Sequence, residues 1–312
     1  MIEGVKGLIA APLTGYRDDG LVNLDVVTPY AELLQANRVA GVFVNGTTGE
    51  GMSLTLDERR ALSERWVQAV PQGFRVMIHV GHTCQTESRA LAAHAADIGA
   101  AAIGEIGPVF FRPGSVEALV DYCAETAAAA PDLPYYYYHM PSMNQVLFPM
   151  SEFLRLAEEA IPNLAGIKYT HSDIADYEEC LGFRDGKYDI LFGRDEFLIE
   201  GLKVGAHGAV GSTYNFMAPL YHELIAAFRA GDRAEAERLQ AISANTCTTM
   251  AGTGGFGSGL KAILKTMGLD LGGMRRPQVN LSPEAVTKLV ASLKDAGTFE
   301  YLNRVPVKFE NK

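Results

Sequence analysis

Eight short β-rich runs recur along the chain, and a polar turn and a segment with helical spacing of apolar residues follow each of them. Parallel strands need long crossover connections, usually helices, so this alternation predicts a parallel sheet covered by helices. Eight such units are the number that closes a sheet of this kind into a barrel. The predicted strands are residues 7–13, 41–45, 75–80, 102–106, 134–139, 165–170, 189–192 and 208–211.

The helical segments extend well beyond the eighth strand. Thr55 supplies a capping hydroxyl for one helix, and Ser151 is predicted to open another in the same way. Further helices are expected at 23–35, 115–130, 218–230, 232–250, 258–267 and 283–296. The last three exceed what one barrel helix needs. We therefore expect an α/β fold, a (β/α)₈ TIM barrel over residues 1–230, with a C-terminal helical extension over 231–312 packed on it as a single structural unit.

The composition excludes several classes of protein. A net charge of −10 and the lack of a long run of Lys or Arg argue against a nucleic-acid partner, since phosphate binding needs a basic face. No apolar stretch approaches the roughly 20 residues of a membrane helix, and residues 1–10 have no signal-peptide pattern. We expect a cytoplasmic protein with no membrane partner. The cysteines have no metal-ligand spacing and are expected to be reduced thiols: Cys84, Cys123, Cys180 and Cys247.

A glycine-rich turn follows the second predicted strand. In βα barrels the active site lies at the carboxyl ends of the strands, so polar residues that end an apolar run are the first candidates. The turn reads Gly46-Thr47-Thr48-Gly49-Glu50. Its glycines allow exposed backbone N–H groups, and its two hydroxyls can donate to a carboxylate, which would make an anion-binding nest. The same pattern also suits a plain tight turn that caps a helix.

Lys168 lies near the carboxyl end of the sixth predicted strand. Side chains alternate along a strand, so Lys168 and Thr170 share one face, while Ile167 and Tyr169 share the other. If Lys168 points into the barrel, burial lowers the pKa of its amine and makes it a nucleophile. A lysine paired with a buried carboxylate, or extended to the strand end, explains the same position.

Four consecutive tyrosines form the fifth predicted strand, and most of them suit packing in a sheet. Tyr138 differs because it lies beside the strand end and shares a face with Tyr136. A phenol at that position can pass a proton to and from a bound substrate.

Three ordered motifs together indicate a family. The turn at residues 46–50, the segment Tyr138-His139-Met140-Pro141 and the segment Gly166-Ile167-Lys168-Tyr169-Thr170 resemble those of the N-acetylneuraminate lyase and dihydrodipicolinate synthase superfamily. The resemblance covers most of the chain. Within the superfamily the sequence is more similar to the sialic acid lyases. The synthases normally have an arginine shortly after the Tyr-x-x-Pro segment, and this sequence has none there.

The resemblance implies a class I aldolase that cleaves N-acetylneuraminate reversibly to pyruvate and N-acetylmannosamine. Lys168 would form the Schiff base, and Tyr138 would relay protons. Thr47 and Thr48 would hold the substrate carboxylate. The remaining implied substrate-binding residues are Thr170, Gly193, Asp195, Glu196, Gly211 and Ser212. The resemblance also implies a small-molecule substrate, no metal or organic cofactor, and a homotetramer.

Two segments depart from the family pattern and leave the sugar substrate open. Residues 110–113 read Phe-Phe-Arg-Pro where many members place a tyrosine, and Asn144-Gln145 replaces a small residue followed by glycine. The alternatives are an aldolase or hydro-lyase for another 2-keto-3-deoxy sugar acid, a dihydrodipicolinate synthase, or a non-catalytic sensor of keto acids or sugars. His79, His82 and His171 are expected to be structural or rim residues.

Overall fold

The computed structural model describes residues 4–304, which contain a closed barrel of eight parallel strands. The strands are hydrogen-bonded in chain order, and the ring closes where the first strand pairs with the eighth. The predicted (β/α)₈ TIM fold is confirmed. The strands are β1 Gly7–Ala10, β2 Gly41–Val44, β3 Arg75–His79, β4 Ala102–Ile106, β5 Tyr135–His139, β6 Leu164–Tyr169, β7 Asp189–Phe192 and β8 Gly208–Gly211.

Helices cover the outside of the barrel and continue beyond it. Within the described residues they are α1 Val27–Ala36, α2 Leu56–Ala69, α3 Gln85–Asp97, α4 Val116–Ala127, α5 Pro141–Asn144, α6 Met150–Ala160, α7 Ile174–Gly182, α8 Leu198–Lys203, α9 Tyr214–Ala230, α10 Arg233–Gly252, α11 Phe256–Thr266 and α12 Pro283–Asp295. The last three form the C-terminal helical extension.

The extension is bonded to the barrel through α10. Gln240 and Ser243 both donate to the backbone carbonyl of Asp195, which follows β7, each at 3.1 Å. On this basis we propose that residues 1–230 and 231–312 form one structural unit, as the sequence predicted. The outermost residues of both ranges, 1–3 and 305–312, lie outside the described part of the chain.

Predicted boundaries differ from the observed ones by at most four residues. The first strand ends at Ala10, not at residue 13, because Pro12 has no N–H to continue the ladder. The second ends at Val44 because Asn45 takes a left-handed backbone conformation with φ of 60°. Both strands therefore turn sharply just where the candidate site begins.

The prediction that Ser151 caps a helix was wrong. Helix α6 begins one residue earlier, at Met150, after Pro149. The Ser151 hydroxyl instead donates to a carboxylate oxygen of Asp176 at 3.0 Å, and the same carboxylate accepts the Met150 and Ser151 amides. A carboxylate from the neighbouring helix α7 thus satisfies the first amides of α6.

Two apolar layers lie on the two sides of the sheet. In β6, Ile167 and Tyr169 face the outer layer between strands and helices, as the alternation predicted. The inner layer fills the barrel with Val5, Ile9, Phe43, Met77, Ala102, Ile106, Tyr136, Tyr138, Ala165, Leu191 and Val210. Near the amino ends of the strands, Asp189 accepts hydrogen bonds from the Val5 amide at 2.8 Å and the Tyr136 hydroxyl at 2.9 Å. The barrel interior is therefore packed below the site.

Candidate active site

One cavity at the carboxyl ends of the strands contains every site residue expected from the sequence. Its volume is 640 Å³, and it is bordered by loops from six strands and by the C-terminal extension. The expected residues that line it are Thr47, Thr48, Tyr138, Lys168, Thr170, Gly193, Asp195, Glu196, Gly211 and Ser212. These residues come from distant parts of the sequence, and closure of the barrel brings them together.

Lys168 lies at the bottom of this cavity with only 4% of its surface exposed. Its Nζ atom is 3.8 Å from the ring centre of Tyr138 and 4.4 Å from that of Phe43. Burial lowers the pKa of the Lys168 amine to about 7, although the nearby Asp195 carboxylate raises it. A large share of the amine is therefore neutral at physiological pH, as a nucleophile must be.

Asp195 provides the buried carboxylate that the alternative explanation of Lys168 requires, but the two side chains form no ion pair within 4 Å. One oxygen of Asp195 accepts the Thr213 amide at 2.8 Å and the Thr213 hydroxyl at 2.6 Å. The other oxygen, Oδ1, is buried and has no hydrogen-bond partner among the described residues. Burial raises the pKa of Asp195 to about 6, so it is largely ionised at neutral pH.

Tyr138 extends its phenol over the lysine and towards the glycine-rich turn. Its hydroxyl lies 3.3 Å from the hydroxyl of Thr47 and donates to the sulfur of Met140 at 2.8 Å. Burial raises the pKa of Tyr138 to about 12, while the hydrogen bond from Thr47 lowers it. The phenol is therefore protonated at neutral pH. It can act as a proton relay, in which it donates its own proton while it accepts another.

The glycine-rich turn folds back on itself, and the amides of Thr47 and Thr48 are among those it leaves free. The amides of Glu50 and Gly51 donate to the carbonyls of Thr47 and Gly46, both at 3.1 Å. In contrast, the amides of Thr47 and Thr48 donate to no acceptor among residues 4–304. Two free amides beside two hydroxyls at the cavity wall form an arrangement that suits a carboxylate.

Two glycines allow polar groups to approach the backbone closely. A methyl group on Gly211 would lie 1.8 Å from Oδ1 of Asp195, and one on Gly193 would lie 2.0 Å from the hydroxyl oxygen of Thr170. Both of those oxygens are buried and lack partners within the described residues. Gly193 and Gly211 thus leave room for polar atoms that a bound ligand can satisfy.

Glu196 is held at the cavity rim by its neighbour. Arg194 donates two hydrogen bonds to the same oxygen of Glu196, from Nε at 3.1 Å and from a terminal nitrogen at 2.9 Å. The Arg194 guanidinium also lies 4.3 Å from the ring centre of Phe197. The Glu196 carboxylate therefore has a fixed position at the rim. The sequence motif that predicts Glu196 also contains Arg194, but its spacing gives no indication of this pairing.

Helices of the extension form the wall opposite Lys168. The residues that form this wall were not predicted from the sequence, because the spacing of apolar residues in a helix does not show which of its faces packs against a barrel loop. They are Ala244, Cys247, Thr248, Ala251, Phe256, Gly257 and Leu260, followed by Met274 and Gln278. Burial raises the pKa of the Cys247 thiol, so it is protonated and unreactive at neutral pH.

Comparison with known proteins places this site in a family. Residues 4–296 match the sequence model of the Dihydrodipicolinate synthetase family. The chain belongs to this family. It is 45% identical to an N-acetylneuraminate lyase of Xenopus tropicalis over 76% of this chain and 78% of that protein. It is 38% identical to the N-acetylneuraminate lyase of Mus musculus over 97% and 95% of the two chains.

A solved structure of a family member is also close. The N-acetylneuraminate lyase of Proteus mirabilis superimposes with a TM-score of 0.92 and 39% identity, and covers 95% of this chain and 100% of that one. The prediction that the chain belongs to this superfamily is therefore confirmed.

The departures from the family pattern have clear positions in this family member. Phe110 and Phe111 stack edge to face at 4.9 Å, and 74% and 85% of their surfaces are exposed. Asn144 is fully buried, and Gln145 has a φ of 56°, a left-handed conformation that favours glycine. Gln145 thus adopts a conformation that a glycine would enter without strain. Neither segment lines the cavity.

His79, His82 and His171 do not line the cavity. The buried His79 contacts Arg59 through Nδ1 at 3.3 Å and accepts the Ile106 amide through Nε2 at 3.2 Å. His82 accepts the Cys84 amide at 3.0 Å. His171 packs edge to face against His139 at 5.4 Å. Among residues 4–304, no group of His, Cys, Asp and Glu has the arrangement of a metal site.

Proposed function

We propose that this protein is a class I aldolase that cleaves N-acetylneuraminate reversibly to pyruvate and N-acetylmannosamine. The observation that carries this proposal is the buried amine of Lys168, whose pKa is lowered to about 7, at the bottom of a cavity with free carboxylate-binding amides. The relatives named above are N-acetylneuraminate lyases, which are carbon–carbon lyases. This chain is accordingly an enzyme of the lyase class.

In the proposed mechanism, the neutral Lys168 amine attacks the C2 ketone of the open-chain substrate. Loss of water gives a protonated imine, which is an electron sink. The C4 hydroxyl loses its proton, the C3–C4 bond breaks, and its electron pair moves into the imine to form an enamine. Tyr138 relays the C4 proton and returns a proton to C3 of the enamine. Hydrolysis then releases pyruvate and restores the amine.

The two ends of the substrate would bind on opposite sides of Lys168. The hydroxyls and free amides of Thr47 and Thr48 would hold the carboxylate. The polyol would contact Thr170, Gly193, Asp195, Glu196, Gly211 and Ser212. The unpartnered oxygens of Asp195 and Thr170 support this assignment, because a substrate hydroxyl would satisfy each of them.

The direct test is incubation of the purified protein with N-acetylneuraminate. Release of pyruvate and N-acetylmannosamine in equal amounts is the expected result, and the absence of pyruvate would exclude this substrate. Borohydride reduction in the presence of pyruvate tests the chemistry separately, since it traps the imine as a stable adduct on Lys168. A protein that binds pyruvate without forming the adduct would be a sensor, not an aldolase.

A related sugar acid is the alternative substrate. The replacement of the family tyrosine by Phe111 favours it. Phe111 does not line the cavity of its own chain, but the resemblance implies that this position contributes to the site of a neighbouring subunit, where a hydroxyl would then be missing. Measurement of kcat/KM for a panel of 2-keto-3-deoxy sugar acids and for N-acetylneuraminate decides which is the substrate. Higher kcat/KM for any of these than for N-acetylneuraminate would change the substrate and leave the Schiff-base chemistry unchanged.

Adduct formation with pyruvate should depend on pH in a way that reveals the lowered pKa of Lys168. Protonation below pH 7 removes the nucleophile, so the rate should fall about tenfold between pH 8 and pH 6 and level off above pH 8. Asp195, with a pKa of about 6, makes the lower limb less steep as it too becomes protonated. A lysine with an ordinary pKa would instead give a rate that rises about tenfold per unit through pH 9.

Gly211→Ala tests the polyol side. Its methyl group would meet Oδ1 of Asp195 at 1.8 Å and displace the carboxylate. We expect KM for N-acetylneuraminate to rise about 10-fold to 100-fold, the cost of one lost buried polar contact. Pyruvate trapping should be unchanged above pH 8, where the Lys168 amine is neutral with or without the Asp195 charge. Gly182→Ala is the matched control, because a methyl group there meets nothing within 4 Å. An unchanged KM in Gly211→Ala would remove Asp195 from the polyol site.

We further propose that the enzyme is a cytoplasmic homotetramer that uses no metal or organic cofactor and binds no nucleic acid. The net charge of −10 supports the last point. No helix among the described residues is long and apolar enough to span a membrane. Sedimentation velocity tests the tetramer directly.

A further inference from the structure

A buried ion pair lies beneath the glycine-rich turn that borders the candidate active site. Glu50, the last residue of the turn, and Lys261, on helix α11 of the extension, have side chains only 1% and 4% exposed. The Lys261 ammonium lies 3.7 Å from Oε1 of Glu50. Neither Glu50 nor Lys261 contacts the substrate in the proposed mechanism.

The charges around this pair balance. Lys261 also donates to the carbonyls of Leu271 and Gly273, and it lies 4.5 Å from the ring centre of Tyr16. The second oxygen of Glu50 accepts the backbone amide of Arg275 at 2.9 Å. The Arg275 guanidinium binds the remaining carboxylate, that of Glu58. Lys261 is therefore the cation that compensates Glu50.

Glu50 controls the shape of the turn because its backbone is left-handed, with φ of 56°, a conformation that a side chain disfavours. Its amide closes the turn by donating to the carbonyl of Thr47. The contacts of the Glu50 side chain with Lys261 and Arg275 therefore hold the strained end of the segment that presents the Thr47 and Thr48 amides.

We propose that Lys261 is a positioning residue that sets the affinity of the glycine-rich turn for the carboxylate of a 2-keto acid, acting through Glu50. The inference rests on the proposed function and assigns a role to the C-terminal extension. Without Lys261, the carboxylate of Glu50, the last residue of this anion-binding turn, has lost its counter-ion. The charge repels the carboxylate, or the Glu50 side chain leaves its site and the turn loses its shape. Both outcomes weaken keto-acid binding.

The test measures the pyruvate concentration that gives half-maximal borohydride trapping. Lys261→Met should raise it about tenfold, which corresponds to 1.4 kcal/mol. The KM for N-acetylmannosamine in the synthetic direction should stay within about twofold, since one interaction at the carboxylate end is changed. Lys265→Met, one helical turn further along α11, is the matched control, because Lys265 is 68% exposed and pairs with Asp270 at the surface.

The double variant Glu50→Gln/Lys261→Met separates charge from packing. It removes both charges, so most of the pyruvate affinity should return, whereas a purely structural role of Lys261 would leave it low. If Lys261→Met does not fold, Lys261→Gln replaces it, because glutamine keeps a donor for the Gly273 carbonyl and removes only the charge.

An unchanged half-saturating pyruvate concentration in the Lys261 variant would overturn this inference and leave the proposed function intact. Equal losses for pyruvate and N-acetylmannosamine, or no recovery in the double variant, would overturn it as well. Failure of the wild-type protein to form any pyruvate adduct would overturn the proposed function and this inference together.

Discussion

Lys168→Met is expected to lower kcat/KM for N-acetylneuraminate cleavage by more than about 10⁴-fold, since the nucleophile of a covalent mechanism has no substitute nearby. Methionine keeps the length of the side chain and removes the amine. Because the Lys168 amine is buried without an ion-pair partner, its removal should not lower the melting temperature. Pyruvate release and thermal melting are the two measurements.

Lys203→Met is the control for this substitution. Lys203 is about half exposed and pairs with Glu200 on the surface of α8, so its loss should leave kcat/KM unchanged. Borohydride should add pyruvate to the wild type and to Lys203→Met but not to Lys168→Met. Residual adduct in Lys168→Met would show that another amine forms the imine.

Tyr138→Phe is expected to lower kcat for cleavage by about 10²-fold to 10⁴-fold, the usual range for a lost general acid–base group. The ring centre of Tyr138 lies 3.8 Å from Nζ of Lys168, and the ring remains in the variant. Trapping of pyruvate at Lys168 should therefore continue, because imine formation needs the amine and not the C4 proton relay.

Tyr137→Phe is the matched control on the same strand. Tyr137 faces the outer layer, and its hydroxyl has no hydrogen-bond partner among the described residues. Its removal should change neither kcat nor trapping. Equal kcat values for Tyr138→Phe and wild type would assign the proton relay to another group, such as the substrate carboxylate.

The sequence was sufficient to predict the barrel and the direction of the central lysine. Alternation along a short strand is a local property, so the phase of Lys168 against Ile167 and Tyr169 followed from neighbouring residues alone. The carboxyl ends of strands β2, β5 and β6 lie at the same rim of a closed barrel, so the sequence alone predicts that Thr47, Tyr138 and Lys168 lie close together.

The features that the sequence did not predict all depend on packing between distant segments. Arg59 lies in a helix segment with charged neighbours, a pattern typical of an exposed face, yet it is fully buried. It donates to the Gly81 carbonyl at 2.9 Å. The pairing of Glu50 with Lys261 likewise requires the position of α11 against the turn, which no local pattern specifies.

The wall that α10 and α11 contribute to the cavity has a consequence for biosynthesis. During translation Lys168 and all eight strands emerge first, but the cavity lacks its second side until the segment through Gln278 has left the ribosome. A nascent chain that ends after the barrel would have a reactive amine in an open groove. The cavity therefore has both of its walls only after the extension has been synthesised.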